Sequence, residues 1–147
     1  MKKTAKLILS LVLPLSIILF GTVTYWRYVA VEDGPDEFLY GFPLPAICSG
    51  WHTSLSLQIF VSELVFNYLF YFTFLMLVIG LIDRYLKPIT VKKYIKIGLY
   101  ALAMVILLGY GFVFANPDHI FKTERDFNYQ QTRSGFKFLW QPDEKMQ

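Results

Sequence analysis

Glu63 and Asn67 are the residues of this sequence best placed to do chemistry, because each interrupts a long apolar stretch. At helical spacing they share a stripe with Ser56. A carboxyl group inside a membrane helix is by default a candidate proton relay or ion site. Cys48, His52 and His119 have donor atoms for a transition metal, but no ligand spacing joins them. Neither histidine falls in an apolar block, so a haem held between intramembrane histidines is not expected. Glu32, Asp33, Asp36 and Glu37 gather oxygens in one loop. They lack the regular ligand spacing of a calcium-binding hand and read as a solvated acidic segment. No serine or cysteine nucleophile has a partner base, and no glycine-rich loop could cradle a phosphate. The pattern points away from catalysis and from any resident cofactor or metal. The single cysteine cannot form a disulfide within the chain.

The elements that would position these residues follow from the apolar blocks. Of the 147 residues, 55% are hydrophobic and 18% aromatic, concentrated in three stretches between charged or Pro/Gly-rich segments. A bilayer core of about 30 Å needs roughly 20 helical residues. Lys6 to Arg27 covers about 31 Å at the helical rise, and Glu63 to Asp83 and Lys96 to Asn116 about 30 Å each. The expectation is an all-α membrane protein with three transmembrane helices. A transmembrane domain over 1–115 would hold spans near 7–26, 64–82 and 97–115, an outer loop 27–53 and a cytoplasmic loop 83–96. The second helix would extend outward from about 54, with Thr53 or Ser54 as its cap, and 116–147 would form an extracytoplasmic tail. This ruler puts Glu63 at the outer edge of the core, with Asn67 one turn deeper as a contact between helices.

Charge sets the expected orientation. Lys2, Lys3 and Lys6 at the start, and Arg84, Lys87, Lys92, Lys93 and Lys96 after the second block, face only Asp83. The positive-inside rule therefore places the N-terminus and the 83–96 loop in the cytoplasm and the tail outside. Tyr25, Trp26, Tyr28, Trp51 and Tyr110 would mark the outer boundary, Tyr85 and Tyr94 the inner one. The first apolar run continues to Trp26 without a small-residue cleavage pattern, so it reads as an uncleaved span. The lack of an Asn-x-Ser/Thr acceptor fits a bacterial cytoplasmic (inner) membrane. Tyr40-Gly-Phe-Pro-Leu-Pro ahead of a long apolar helix resembles outer loops of small bacterial membrane proteins, a short likeness that implies no activity.

Small and weakly polar residues gather where membrane helices touch. Ser10, Pro14, Gly21 and Thr24 form one such stripe, with Pro14 expected to disturb its helix. Gly98, Ala101 and Gly109, and Gly111-x-x-x-Ala115, offer further contacts. The outer loop turns apolar after Phe38, so Phe42, Pro43, Pro45 and Trp51 are expected in an outer layer with Phe136, Phe138 and Trp140 of the tail. Period-two alternation about Arg133-Ser-Gly predicts a β-hairpin there; a tail that orders on a partner is the alternative. Together these features suggest a small non-catalytic membrane subunit or accessory protein binding partners through its helices, outer loop and tail. One alternative is a channel, carrier or ion-coupled component using Glu63 and Asn67. Another is a membrane enzyme acting on lipid or quinone, seeded by Glu63, His52 and Cys48. Expected partners are the bilayer and other membrane subunits or further copies, with no nucleic acid and no identifiable small-molecule substrate.

Overall fold

The computed structural model describes residues 2–31, 36–50, 56–86 and 88–138. Helix α1 (Lys2–Leu7) passes through a widened π-type turn (Ile8–Val12) into α2 (Leu13–Thr22). Strands β1 (Val23–Val31), β2 (Glu37–Tyr40), β3 (Ile47–Ser49) and β4 (Leu57–Phe60) follow. Helix α3 (Val61–Leu81) ends in a second π-type turn (Ile82–Leu86); helix α4 (Lys93–Phe114) and strands β5 (Ile120–Lys122) and β6 (Tyr129–Phe138) complete the chain. Three helical stretches, Thr4–Thr22, Val61–Leu86 and Lys93–Phe114, are long and apolar enough to cross a membrane. The all-α expectation is nevertheless overturned, because the strands form one six-stranded mixed sheet. Contacts divide the chain into a helical unit (Met1–Gly21 with Val65–Pro117) and a sheet unit (Thr22–Leu64 with Asp118–Gln147).

In the helical unit, Pro14 has no N–H to give the Ser10 carbonyl. The backbone widens just before it, and the Leu13 N–H reaches back to the Ile8 carbonyl. Leu7 and Val12 of the first helical stretch form a buried cluster with Leu75 and Ile79 of α3. Phe20 adds edge contacts to Tyr68 and Tyr71, with ring centroids 5.8 and 5.9 Å away. On α4 the buried residue is Ala103. Close approach of α2 to α4 depends on Gly21, where a Cβ would lie 2.4 Å from Ile106 Cγ2 and 3.2 Å from Tyr110 Cε2. Tyr110 also donates to the Gly21 carbonyl at 3.3 Å, and Tyr100 to the Leu9 carbonyl.

The sheet order is β5-β4-β3-β2-β1-β6, antiparallel except for the parallel pair β4 and β5. Val23-Thr-Tyr-Trp-Arg-Tyr-Val-Ala-Val is almost wholly β-branched or aromatic, which suits a pleated strand better than a helix. The first helix therefore stops at Thr22, short of the expected 26. Similarly, Leu57–Phe60 is a strand where an outward extension of the second helix was expected. The tail is no hairpin. Tyr129–Phe138 runs as one strand straight through Arg133-Ser-Gly and pairs with β1. Gly135 serves packing instead of a turn, since a Cβ there would lie 3.1 Å from Trp26 Nε1. The register slips once, between Tyr28 and Val29. Thr132 is the extra residue, and its hydroxyl donates to the Tyr28 carbonyl at 2.9 Å.

One face of the sheet buries Val29, Leu39, Cys48 and Phe60, with Val31, Phe127 and Tyr129 packed on them. A single row closes one end. Tyr25 pairs with Phe136, Gly41 N–H donates to the Tyr25 carbonyl, Phe60 N–H donates to the Ala46 carbonyl, and Phe60 pairs with Lys122. From this end β1 leads back into α2 and β4 leads directly into α3.

Candidate functional site

Strand β1 alternates its side chains, so Tyr25 and Arg27 share the face of Val29. Arg27 is only 7% exposed. Its Nη1 donates to the Gly41 carbonyl at 2.7 Å and its Nη2 to the Pro43 carbonyl at 2.6 Å. The guanidinium also lies 4.6 Å from the Tyr25 ring centroid. This fork ties β1 to the loop that joins β2 and β3. The loop starts at Gly41, whose φ of 131° only glycine adopts without strain, and continues through a cis Phe42–Pro43 peptide. Phe42 and Phe136 close an aromatic triangle with Tyr25, with centroid separations of 5.9, 4.7 and 5.2 Å. The Tyr25 hydroxyl donates to Ser134 Oγ at 2.7 Å. Burial pushes Arg27 below the ordinary arginine value; Tyr129 and Tyr25 oppose that shift and Arg125 adds to it. It stays a cation. With both ends of the fork on backbone carbonyls, the group positions a loop; it is not arranged to exchange a proton.

A second cationic group lies further along the same unit. Arg125 donates from Nε to the Phe127 carbonyl at 3.2 Å, and its guanidinium sits 4.7 Å from the Tyr129 ring centroid. Its backbone N–H meets Glu63 Oε1 at 3.4 Å. Glu63 Oε2 is enclosed without a hydrogen-bond partner among the described residues. Of the expected stripe of Ser56, Glu63 and Asn67, only Ser56 falls away, because it precedes β4. Glu63 and the buried Asn67 lie one turn apart on α3. His119 accepts the Leu57 N–H on Nδ1 at 3.1 Å, which leaves the proton of the neutral ring on Nε2. Cys48 is fully buried, and burial above all, with Glu37 adding, pushes its thiol up to about 12. Such a thiol is not a nucleophile. Among the described residues no group of three or more His, Cys, Asp or Glu side chains could hold a metal. Asp36 accepts from the Tyr28 hydroxyl at 3.3 Å, and burial raises the Glu37 carboxyl above its ordinary value.

The remaining residues singled out from the sequence are scattered. Ser10 is buried, and its Oγ donates to the Lys6 carbonyl at 2.6 Å. Pro14 and Gly21 are buried in the helical unit. Thr24 lies in β1 opposite Lys137, outside the helix. At Gly98 and Gly109 an added Cβ would meet nothing within 4 Å, so the chain itself leaves these positions open. Phe42, Pro43 and Phe136 meet at the Arg27 cluster, Pro45 is buried in the same loop, and Phe138 pairs opposite Val23. Trp51 and Trp140 lie outside the described residues, as do Glu32, Asp33, His52, Thr53, Ser54 and Lys87. Arg27, Tyr25, Arg125 and Tyr129 were not legible as a site. The one available signal was the β-type composition of 23–31, which hydropathy counting absorbs into the first span. Comparison with protein-family models, with curated proteins and with solved structures returned no significant match.

Proposed function

We propose that this chain is a small non-catalytic integral membrane subunit or accessory protein that holds a β-sheet unit at the outer face of a bacterial cytoplasmic (inner) membrane. Its N-terminus and 83–96 loop lie in the cytoplasm, and it binds partner proteins through its helices and sheet unit. The observation that carries this reading is the strand pairing. β1 follows the first apolar helix and β6 follows the third, yet they pair along nearly their whole lengths, and β4 likewise pairs with β5. Two helices, α3 and α4, lie between the paired segments; two crossings return the chain to the side it left, and a single crossing would part them. Basic residues at the start and between α3 and α4 support the orientation.

The visible polar chemistry supports a structural role. Arg27 is bound to carbonyls, Cys48 is enclosed, and His119 accepts a backbone N–H. The helices support association, because only 6% of the apolar window of α4 is buried within the chain. Gly98 and Gly109 leave that helix open to close approach by another. The test is purification in mild detergent followed by native mass spectrometry. A stoichiometric heterologous partner is the expected result, and a monodisperse monomer alone would overturn the proposal.

A further inference from the structure

We infer that the end of the sheet from which both helices leave is seated in the interfacial layer of the bilayer, with Leu44, Phe136 and Phe138 as its lipid-contacting side chains. This rests on the three-span reading proposed above. The argument begins with register. Phe138 pairs with Val23, the residue that directly follows the last helical residue Thr22. Phe136 pairs with Tyr25, two strand residues further, or about 7 Å at the strand rise. At the other side of the sheet Phe60 is followed at once by Val61, the first residue of α3. Two independent chain connections thus bring the same end of the sheet to the ends of two apolar helices. The headgroup layer is roughly 5–7 Å deep on each side of the hydrocarbon core. Residues held within one or two strand positions of a span end fall inside it.

Composition follows the same direction. Beyond Tyr129, which packs on the sheet core, strand β6 is polar over Gln130-Gln-Thr-Arg-Ser and turns aromatic near the helix ends, Phe136-Lys-Phe. The β2–β3 loop lies beyond the Tyr25 row and reads Phe42-Pro-Leu-Pro-Ala, without a charged or hydrogen-bonding side chain. Leu44 is 40% exposed, Phe136 60% and Phe138 45%. Lys137 points to the opposite face, with Nζ 4.8 Å from the Tyr40 ring centroid, and does not interrupt the apolar rim. Phenylalanine and leucine side chains on a polar scaffold bury their apolar area at the headgroup–acyl boundary while the backbone beside them stays wet. Arg27 then gains a purpose: its fork holds the loop that carries Leu44 against β1.

The test uses the full chain in vesicles of phosphatidylethanolamine and phosphatidylglycerol. Nitroxide labels are placed singly by Leu44→Cys, Phe138→Cys, Gln130→Cys and Leu108→Cys in a Cys48→Ala background. Collision with oxygen, which partitions into lipid, is compared with collision with a water-soluble nickel chelate. The labels at 44 and 138 are expected to show an oxygen-to-nickel ratio several-fold above that at 130 and below that at 108. Ratios at 44 and 138 equal to that at 130, with 108 still reading lipid, overturn the interfacial seat and leave the spans standing. Labels at 44 and 138 shielded from both reagents mean that a protein, partner or second copy, covers the rim, which also overturns it. An aqueous reading at 108 refutes the three-span reading and this inference with it.

Discussion

Replacing Arg27 by Met tests whether the buried guanidinium is a structural clamp. The substitution keeps a side chain of similar length and removes the donors of the Gly41 and Pro43 carbonyls, now bonded at 2.7 and 2.6 Å. Hydrogen bonds from a charged donor contribute about 1.5–3 kcal/mol each, so the pair stabilises the loop by roughly 3–6 kcal/mol. The ring contact to Tyr25 adds about 0.5–1 kcal/mol. Against this, Met need not be desolvated, and burying a lone guanidinium costs several kcal/mol, which offsets part of the gain. We expect a net loss of about 2 kcal/mol, confined to the β2–β3 loop and its neighbours. Each 1.4 kcal/mol is tenfold, so the loop should open about 30-fold more often. Hydrogen–deuterium exchange reads this directly, because the Gly41 and Ala46 amides donate to Tyr25 and Tyr40 carbonyls. Arg27→Lys, able to satisfy one carbonyl well but not both in fork geometry, should fall between the two. Unchanged or slower exchange in Arg27→Met would show that charge burial outweighs the two bonds, and the clamp argument would fail.

Four further outcomes can be checked more simply. Cys48 should resist a membrane-impermeant maleimide in the folded protein and react only after denaturation; rapid native labelling would contradict its burial. Its thiol, with an ordinary value of 9.0, is raised to about 12 in the fold. The folded state therefore binds this proton more tightly, and its stabilisation is complete below the unfolded value and lost as pH rises from there. The loss is about 1.4 kcal/mol per pH unit between roughly 9 and 12, and the melting temperature of wild type should fall relative to that of Cys48→Ala across that window. In the helical unit, Gly21→Ala should destabilise by about 1–3 kcal/mol through overpacking on Ile106 and Tyr110. Gly98→Ala, whose Cβ would meet nothing within 4 Å, should leave the monomer at least as stable, with a gain of up to about 1 kcal/mol.

The three long helices were legible because hydropathy is a local property that needs no partner segment to be read. The sheet was not, for a related reason. Pairing β1 with β6 joins residues about a hundred positions apart, and the alternation of Phe136, Phe138 and their neighbours does not say which strand they meet. A local turn at Arg133-Ser-Gly is the nearest explanation, but Gly135 instead makes room for Trp26 lying against the strand. Short strands suffer most. β3 has three residues and β5 three, too few for alternation to be read at all.

The Arg27 site was hidden by a different ambiguity. A charge after an apolar run is the usual marker of a membrane boundary, so in the sequence Arg27 marks the end of a helix. In the fold it lies five residues past the helix end, on a strand whose valines and aromatics are as hydrophobic as the span before them. Hydropathy cannot separate these cases; side-chain shape can. Between Leu13 and Thr22 the apolar residues are mostly Leu and Ile in a run without aromatics until Phe20, whereas Val23–Val31 holds Tyr25, Trp26 and Tyr28 among valines. Aromatic and β-branched side chains crowd the preceding turn of a helix and fit a pleated surface. Where such a stretch directly follows an apolar helix, the change in shape locates the helix end, and the buried charge beyond it belongs to the packed sheet.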